Sequence, residues 1–447
     1  MKFDTIVAAA TPPGTGGIGI VRISGPAAAA IAGQLVGALP APRQAHCRTF
    51  CNAAGEAIDS GMVLYFPAPN SFTGEDVVEL QGHGGLVPIA MIVDAAVAAG
   101  ARPAAPGEFT QRAFLNDKLD LTQAEAVADL IGSGTAQAAR AALRSLSGEF
   151  SQRITAIAEE VERLRLYVEA AIDFPEEEVD FLSDEELHAA IERAAATFAT
   201  LVGQAAVGRV LRDGYRVVIV GKPNAGKSSL MNRLSGEDTA IVTEVAGTTR
   251  DILREQIDID GLAVELVDTA GLRDDPDRIE AEGIRRAREA LASADAALWI
   301  QDASEHGDDD SRAALPTDLL DIPVLIVRNK IDLTSEGAGR DPQDDNKISV
   351  SANTGAGLDE LRAQIGQLAG YKNLGEQTIT ARRRHVDALR RAEQHFVAGC
   401  RALHGERAGE VFAEELRLAH QALGEITGAT SSDDLLGRIF SEFCIGK

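Results

Sequence analysis

Gly221-Lys222-Pro223-Asn224-Ala225-Gly226-Lys227-Ser228 fits the phosphate-loop pattern G-x-x-x-x-G-K-[ST]. Its flanks fit as well. Tyr215-Arg216-Val217-Val218-Ile219-Val220 reads as a buried strand, and Ser229-Leu230-Met231-Asn232-Arg233-Leu234 as the start of an amphipathic helix. Strand, glycine-rich loop and helix are what a triphosphate requires. Backbone N–H groups wrap the phosphates, and the helix N-terminus adds its dipole. Lys227 reaches the β- and γ-phosphates, and Ser228 ligates Mg²⁺.

Outward from this loop, residues 213–372 alternate strands and helices. Strands are expected over 217–220, 262–267, 296–301, 324–328 and 347–350, with 256–259 pairing beside the second. Helices are expected after the loop and over 277–293 and 358–368. The fold class is a doubly wound sheet with its site at the strands' carboxyl ends.

Guanine-nucleotide motifs follow in order. Gly247-Thr248-Thr249-Arg250-Asp251 supplies a hydroxyl for Mg²⁺. In Asp268-Thr269-Ala270-Gly271, the aspartate holds Mg²⁺ through water and the last N–H meets the γ-phosphate. In Asn329-Lys330-Ile331-Asp332, the Asp332 carboxylate accepts from guanine N1–H and the 2-amino group, a pair adenine lacks. Ser351-Ala352-Asn353 offers backbone N–H to the guanine carbonyl.

Leu272 stands where many GTPases carry a water-orienting glutamine, so another group must do that work. Glu280 is the candidate, although a glutamate there also suits a helix N-terminus. No arginine finger is evident in cis. Asn224 offers a side-chain oxygen for a monovalent cation that would stabilise the developing charge instead.

The 447 residues suggest about three domains. The net charge of −25 argues against a broad basic face for nucleic acid, so an RNA substrate would be shared with a basic partner. Cys47, Cys51, Cys400 and Cys444 are too scattered for a disulfide framework. There is no signal-like N-terminus and no apolar run of membrane-spanning length, so the expectation is a cytoplasmic chain without a membrane span.

The first 118 residues mix strands (5–10, 17–24, 61–66, 75–82) with helices (27–36, 86–99). Gly14-Thr15-Gly16-Gly17-Ile18-Gly19 matches a dinucleotide fingerprint. A strand follows it and no acidic residue stands about 20 positions on, so these are turn glycines. His46, Cys47 and Cys51 lack a second ligand pair and read as ordinary side chains. His83 reads as a loop histidine before a helix.

From Leu121 to Leu211 the pattern is helical, with Ile154, Ile157, Val161, Leu164 and Val168 at steps of three and four. Phe174-Pro175-Glu176-Glu177-Glu178 interrupts it, and Ser183 with Glu186 forms a capping box. Helices are expected again over 379–404, 411–423 and 433–443. One helical domain interrupted by an inserted nucleotide-binding domain is the simplest account. Arg382-Arg383-Arg384 with Arg390 and Arg391 is the clearest basic cluster, either a solvated helix face or an RNA contact.

Six further stretches point to one family. They are Asp4-Thr5-Ile6-Val7-Ala8, Thr11-Pro12-Pro13-Gly14, Ser71-Phe72-Thr73-Gly74-Glu75-Asp76, Arg112-Ala113-Phe114-Leu115-Asn116-Asp117-Lys118, Gly247-Thr248-Thr249-Arg250-Asp251, and the closing run from Asp433 to Cys444-Ile445-Gly446-Lys447. Together they resemble the MnmE (TrmE) family of tRNA-modifying GTPases along the whole chain.

The resemblance implies an α+β tetrahydrofolate-binding and dimerisation domain (1–118), a helical domain in two parts (119–212 and 373–447), and an inserted Ras-like GTPase domain (213–372). It implies K⁺-stimulated GTP hydrolysis in a homodimer. With the FAD-binding partner MnmG (GidA), the family modifies C5 of the wobble uridine of certain tRNAs, using a one-carbon unit from 5-formyl- or methylene-tetrahydrofolate.

The implied nucleotide contacts begin with Asn224, Ala225, Gly226, Lys227, Ser228 and Ser229, and continue with Thr243, Glu244, Val245, Ala246, Gly247, Thr248 and Thr249. Asp268, Thr269, Ala270 and Gly271 follow, then Asn329, Lys330, Asp332, Ser351, Ala352 and Asn353. By the same resemblance Ser228 and Thr249 hold Mg²⁺, and Asn224, Thr243, Val245 and Thr248 hold K⁺. Glu280 is the implied catalytic residue, and Arg22, Glu79, Lys118 and Lys447 the folate contacts. Cys444 matches a terminal cysteine whose role stays open. A nucleotide-switched scaffold, for example in ribosome assembly, is the competing function; the GTPase segment alone fits both.

Overall fold

The computed structural model describes residues 4–173, 185–237, 254–268, 294–305, 322–370, 378–406, 408–430, 433–441, 443 and 446. It divides into two compact units. The first comprises Met1–Ala128, Leu146–Glu169 and Ala413–Lys447, and the second Asp129–Ser145 and Ala170–Phe412.

The first unit is built on a six-stranded sheet of order β3-β4-β5-β2-β1-β6. Its strands are β1 (Ile6–Ala9), β2 (Gly16–Ser24), β3 (His46–Cys51), β4 (Ala57–Phe66), β5 (Val77–Gly84) and β6 (Arg102–Pro103). Only β1 and β6 pair in parallel. Alternation sends Val21, Ile23, Val63, Val78 and Leu80 to one face, against α1 (Ala28–Val36) and α2 (Leu86–Ala98). On the other face Ile6 and Ala8 pack with Ala104 and Phe109, the latter from α3 (Glu108–Leu115).

Two local differences from expectation appear here. His46 and Cys47 belong to edge strand β3, whose partner β4 begins at Ala57, before the expected start. His83 lies within β5, not in a loop, and its ring is fixed by Asp59 at 2.7 Å.

Four helices follow: α4 (Leu121–Ile131), α5 (Ala136–Leu146), α6 (Glu149–Asp173) and α7 (Glu185–Asp213). The second unit contains a seven-stranded sheet of order β12-β13-β11-β10-β7-β9-β8. Its members are β7 (Tyr215–Gly221), β8 (Arg254–Ile259), β9 (Leu262–Asp268), β10 (Ala296–Asp302), β11 (Val324–Asn329), β12 (Gly339–Arg340) and β13 (Lys347–Ser349). The five central strands are parallel, and the edges β8 and β12 are antiparallel. Helices α8 (Lys227–Glu237) and α9 (Leu358–Leu368) bury Leu230, Leu234, Leu361 and Ile365 in the main core of this sheet.

The chain ends in α10 (Arg383–Glu406), α11 (Gly409–Thr427) and α12 (Asp433–Ser441). Helices α7 and α10, from either side of the nucleotide-binding segment, pack together, with Phe198 and Phe396 ring centroids 5.2 Å apart. By length and composition α7 could cross a membrane. Here its Leu187, Ile191, Ala194, Phe198 and Leu201 are buried within the second unit. In the first unit α12 packs Ile439, Phe440 and Phe443 around Leu121 and Ala124.

Candidate functional site

The phosphate loop leaves β7 at Gly221 and enters α8 at Lys227. Asn224 takes a left-handed backbone with φ 62°, which asparagine tolerates better than most residues. Gly226 has φ 90°, and a Cβ there would run into the Asn329 amide, so glycine is required twice over. Lys227 is buried, and its Nζ donates to the Gly221 and Lys222 carbonyls at 3.0 and 2.8 Å. The ammonium is thereby held within the loop. Ser228 is exposed at the first turn of α8.

The loops expected to read the base converge on the same place. Asn329 ends β11, is 1% exposed, and donates Nδ2 to the Ala225 carbonyl at 3.0 Å. Its Oδ1 accepts the Ala352 N–H at 3.0 Å. Ser351 Oγ donates to Asp332 Oδ1 at 2.5 Å and accepts the Thr354 N–H at 3.1 Å. That hydroxyl is the leading cause of a lowered Asp332 pKa, keeping the carboxylate ionised.

Lys330 sits at φ 67° and donates to Asp302 Oδ2 at 2.6 Å. Burial pushes the Asp302 carboxyl up, but hydrogen bonds from Lys330 and Ser304 outweigh it and hold it at about 2. Asp302 was not among the residues singled out from sequence. Its position at the carboxyl end of β10 was the available signal.

Asp268 ends β9, whose register sets it opposite Ile219 of β7. The expected contacts Thr243, Glu244, Val245, Ala246, Gly247, Thr248, Thr249, Thr269, Ala270 and Gly271 lie outside the described residues, as do Leu272 and Glu280.

In the first unit, register aligns Ala8, Arg22, Glu79 and Leu64 across four strands. Arg22 donates Nε and Nη2 to Glu79 Oε1 at 3.0 and 2.8 Å. Its guanidinium lies between the Phe72 and Phe109 rings, 5.6 and 5.8 Å from their centroids.

The loop carrying Phe72 is clamped from the segment after α3. Asn116 donates to the Thr73 carbonyl at 2.7 Å, and Lys118 Nζ to the Pro69 carbonyl at 3.1 Å. Beneath it, buried Arg112 bonds Glu75 and Glu108, and Ser24 donates to Glu75 at 2.7 Å. Near the chain's end, Gly446 lies against the Ala9 carbonyl, next to the register position of Arg22. Arg22, Glu79 and Lys118 are thus joined through one loop, while Lys447 and Cys444 lie outside the described residues.

Among the described residues no three His, Cys, Asp or Glu side chains cluster as a metal site. A cavity of about 760 Å³ in this unit is lined by Ala8, Ala9, Thr11–Gly16, Gly84, Gly85, residues of α2, and Ala104.

A phosphate loop after β7, an inner strand of a mainly parallel sheet, with Asn-Lys-x-Asp at the end of β11 and Ser-Ala-Asn after β13, defines a Ras-like P-loop GTPase. Family models describe the rest: GTP-binding protein TrmE N-terminus matches residues 5–118, and MnmE helical domain matches 121–444. The chain belongs to the tRNA modification GTPase MnmE family, and it is a GTP hydrolase.

The tRNA modification GTPase MnmE of Alkalilimnicola ehrlichii is 56% identical over 448 residues, covering 100% of both chains. That of Stutzerimonas stutzeri is 54% identical over 450 residues and 99% of both. That of Vibrio cholerae is 51% identical over 454 residues and 100% of both.

Proposed function

We propose that GTP turnover drives C5 modification of the wobble uridine of certain tRNAs, with an FAD-binding partner, MnmG (GidA), and a one-carbon unit from 5-formyl- or methylene-tetrahydrofolate. The observation that carries this is Arg22, ion-paired to Glu79 and held between Phe72 and Phe109. Aromatic faces beside paired charges suit a flat heteroaromatic with polar edges. Lys118 adds a cation for the carboxylates of a folate tail, and the chain end carrying Lys447 is anchored by Gly446 at Ala9.

In the GTPase segment Lys227 meets the β- and γ-phosphates. Asp332 reads guanine, Ala352 and Asn353 face its carbonyl, and Ser228 and Thr249 hold Mg²⁺. Glu280 orients the attacking water in place of the missing glutamine. Asn224, Thr243, Val245 and Thr248 hold K⁺, which when bound supplies positive charge beside the phosphates where an arginine finger would otherwise act. The exposed position of Asn224 in the loop fits that role.

The working boundaries are 1–118, 119–212, 213–372 and 373–447. The chain acts as a cytoplasmic homodimer. Exposed Ile18, Leu86, Val87 and Met91 give the first unit an apolar surface that a second copy would cover.

The test is nucleoside analysis of tRNA from a strain lacking this protein, complemented with wild type or with Arg22→Ala. The C5-modified wobble nucleosides should vanish on deletion and return only with wild type. Unchanged nucleosides after deletion would leave the scaffold function standing instead.

A further inference from the structure

The basic cluster near residue 382 is divided by the fold. Arg382 is buried and donates to Asp129 at 2.8 Å, where Arg212 also binds at 2.8 Å. It is a structural anchor. The arginines that follow are different. Arg383, Arg390, Arg391 and Arg401 are exposed on α10, which carries no lysine. At 100° per residue, Arg383, Arg390 and Arg401 fall within about 20° of one line, and they extend over about 27 Å of helix. Asp387 is the one exposed carboxylate described on this helix, 3.9 Å from Arg383. On a chain of net charge −25, this stripe is an inversion of sign.

A second arginine-bearing helix is linked to the start of α10. Thr380, three residues before α10, is bonded to Ser145 at the end of α5 through its N–H at 3.0 Å. Helix α5 carries Arg140 and Arg144 and no carboxylate. The Arg382–Asp129 pair just before α10 and the Phe198–Phe396 contact tie α10 to its neighbours.

From this we infer that the outer face of α10 is an RNA-docking surface that takes the phosphate backbone of tRNA. Guanidinium forks match phosphate oxygens two at a time, and a single-sign line of this length follows a polyphosphate chain. An acidic protein would need desolvated apolar anchors as well. The stripe offers only Val397, 37% exposed. The inference rests on the proposed tRNA substrate and adds where the chain itself holds it.

Two triple variants of the full-length chain test it, by anisotropy of a labelled unmodified tRNA transcript at several salt concentrations. One is Arg383→Gln, Arg390→Gln, Arg401→Gln, in which glutamine keeps helix propensity. The other removes three exposed arginines elsewhere: Arg43→Gln, Arg163→Gln, Arg417→Gln. The stripe variant should bind roughly tenfold more weakly at about 100 mM salt, with a slope of log affinity against log salt smaller by about 2–3. The control should match wild type, and RNA-free GTP turnover should be unchanged in both.

Equal tRNA binding by the two variants overturns the inference. So does a stripe variant that loses only binding of labelled polyglutamate, which would mark a protein-docking face. A wild-type chain that binds no tRNA overturns the proposed function along with it. If the triple variant loses GTP turnover, Arg401→Gln alone should still lower the slope, by about 1.

Discussion

Asn329 and Ala225 are 104 positions apart in sequence and joined by a 3.0 Å hydrogen bond, from a side-chain amide to a phosphate-loop carbonyl. The other end of the same amide accepts the Ala352 N–H. One buried side chain therefore ties the phosphate loop to the Ser351-Ala352-Asn353 loop, the proposed guanine contact.

Asn329→Ala would strand a buried carbonyl and a buried N–H, at about 1–3 kcal/mol each. GTP and GDP affinities should both fall by about 10- to 100-fold, a loss of about 1.4 kcal/mol per decade. Titration with a fluorescent GDP measures this directly. A loss confined to GTP would show that the lock does not reach the base loop.

Ser351 holds Asp332 Oδ1 at 2.5 Å, fixing the carboxylate we propose as the reader of the base. Asp332→Asn exchanges an acceptor for a donor. Guanine's 2-amino group then meets an amide N–H, whereas the 2-oxo group of xanthine is matched. GTP should bind at least about 100-fold more weakly, because a donor is left facing a donor. Xanthosine triphosphate should compete at concentrations where GTP no longer does. Retained preference for GTP would place base selection elsewhere.

The first unit should be acid-sensitive through Glu108. Burial pushes its carboxyl up, but hydrogen bonds from Arg102, the Ala105 N–H and Arg112 outweigh that and hold it at about 2 against an ordinary 4.5. A lowered folded-state pKa stabilises above the unfolded value, and that stabilisation fades as pH falls from 4.5 toward 2. Glu108→Gln should cost on the order of 2 kcal/mol at neutral pH. Calorimetry from neutral pH downward should show the gap to wild type shrinking below pH 4.5. A gap constant with pH would mean that packing, not charge, is lost.

The convergence of the phosphate loop with Asn329 and Ser351 was legible because each stands at or just after the end of a strand, and strand ends in a doubly wound sheet converge. Gly221, Asn329 and Ser351 could be placed together from pattern alone. Asp302 follows the expected strand 296–301 but matches no motif, and its partner Lys330 comes from the end of the neighbouring strand.

Strand β3 escaped for a related reason. His46-Cys47-Arg48-Thr49-Phe50-Cys51 is an edge strand with mostly solvated side chains, so its alternation is weak. The arginine run at 382–384 shows the limit of composition. Burial of Arg382 beside Asp129 separates an anchor from an exposed stripe, and that depends on a partner 253 residues away.

Asn224 closes the set, because its backbone already departs from the common pattern. At φ 62° it turns the phosphate loop while its side chain stays exposed at the loop's outer edge. An asparagine needed only for the turn would be replaced by glycine at little cost, since glycine adopts the same conformation freely. An asparagine that also ligates a cation would not.

Asn224→Gly and Asn224→Ala should therefore both erase most of the difference between GTP turnover in K⁺ and in Na⁺, which we expect to be roughly tenfold or more by analogy with other lost transition-state charges. GDP affinity should survive in the glycine variant and fall modestly in the alanine variant, where a left-handed backbone costs about 1–2 kcal/mol. Turnover in matched KCl and NaCl, with GDP binding measured alongside, separates the two roles. A glycine variant that keeps its full K⁺ preference would reduce Asn224 to a turn residue.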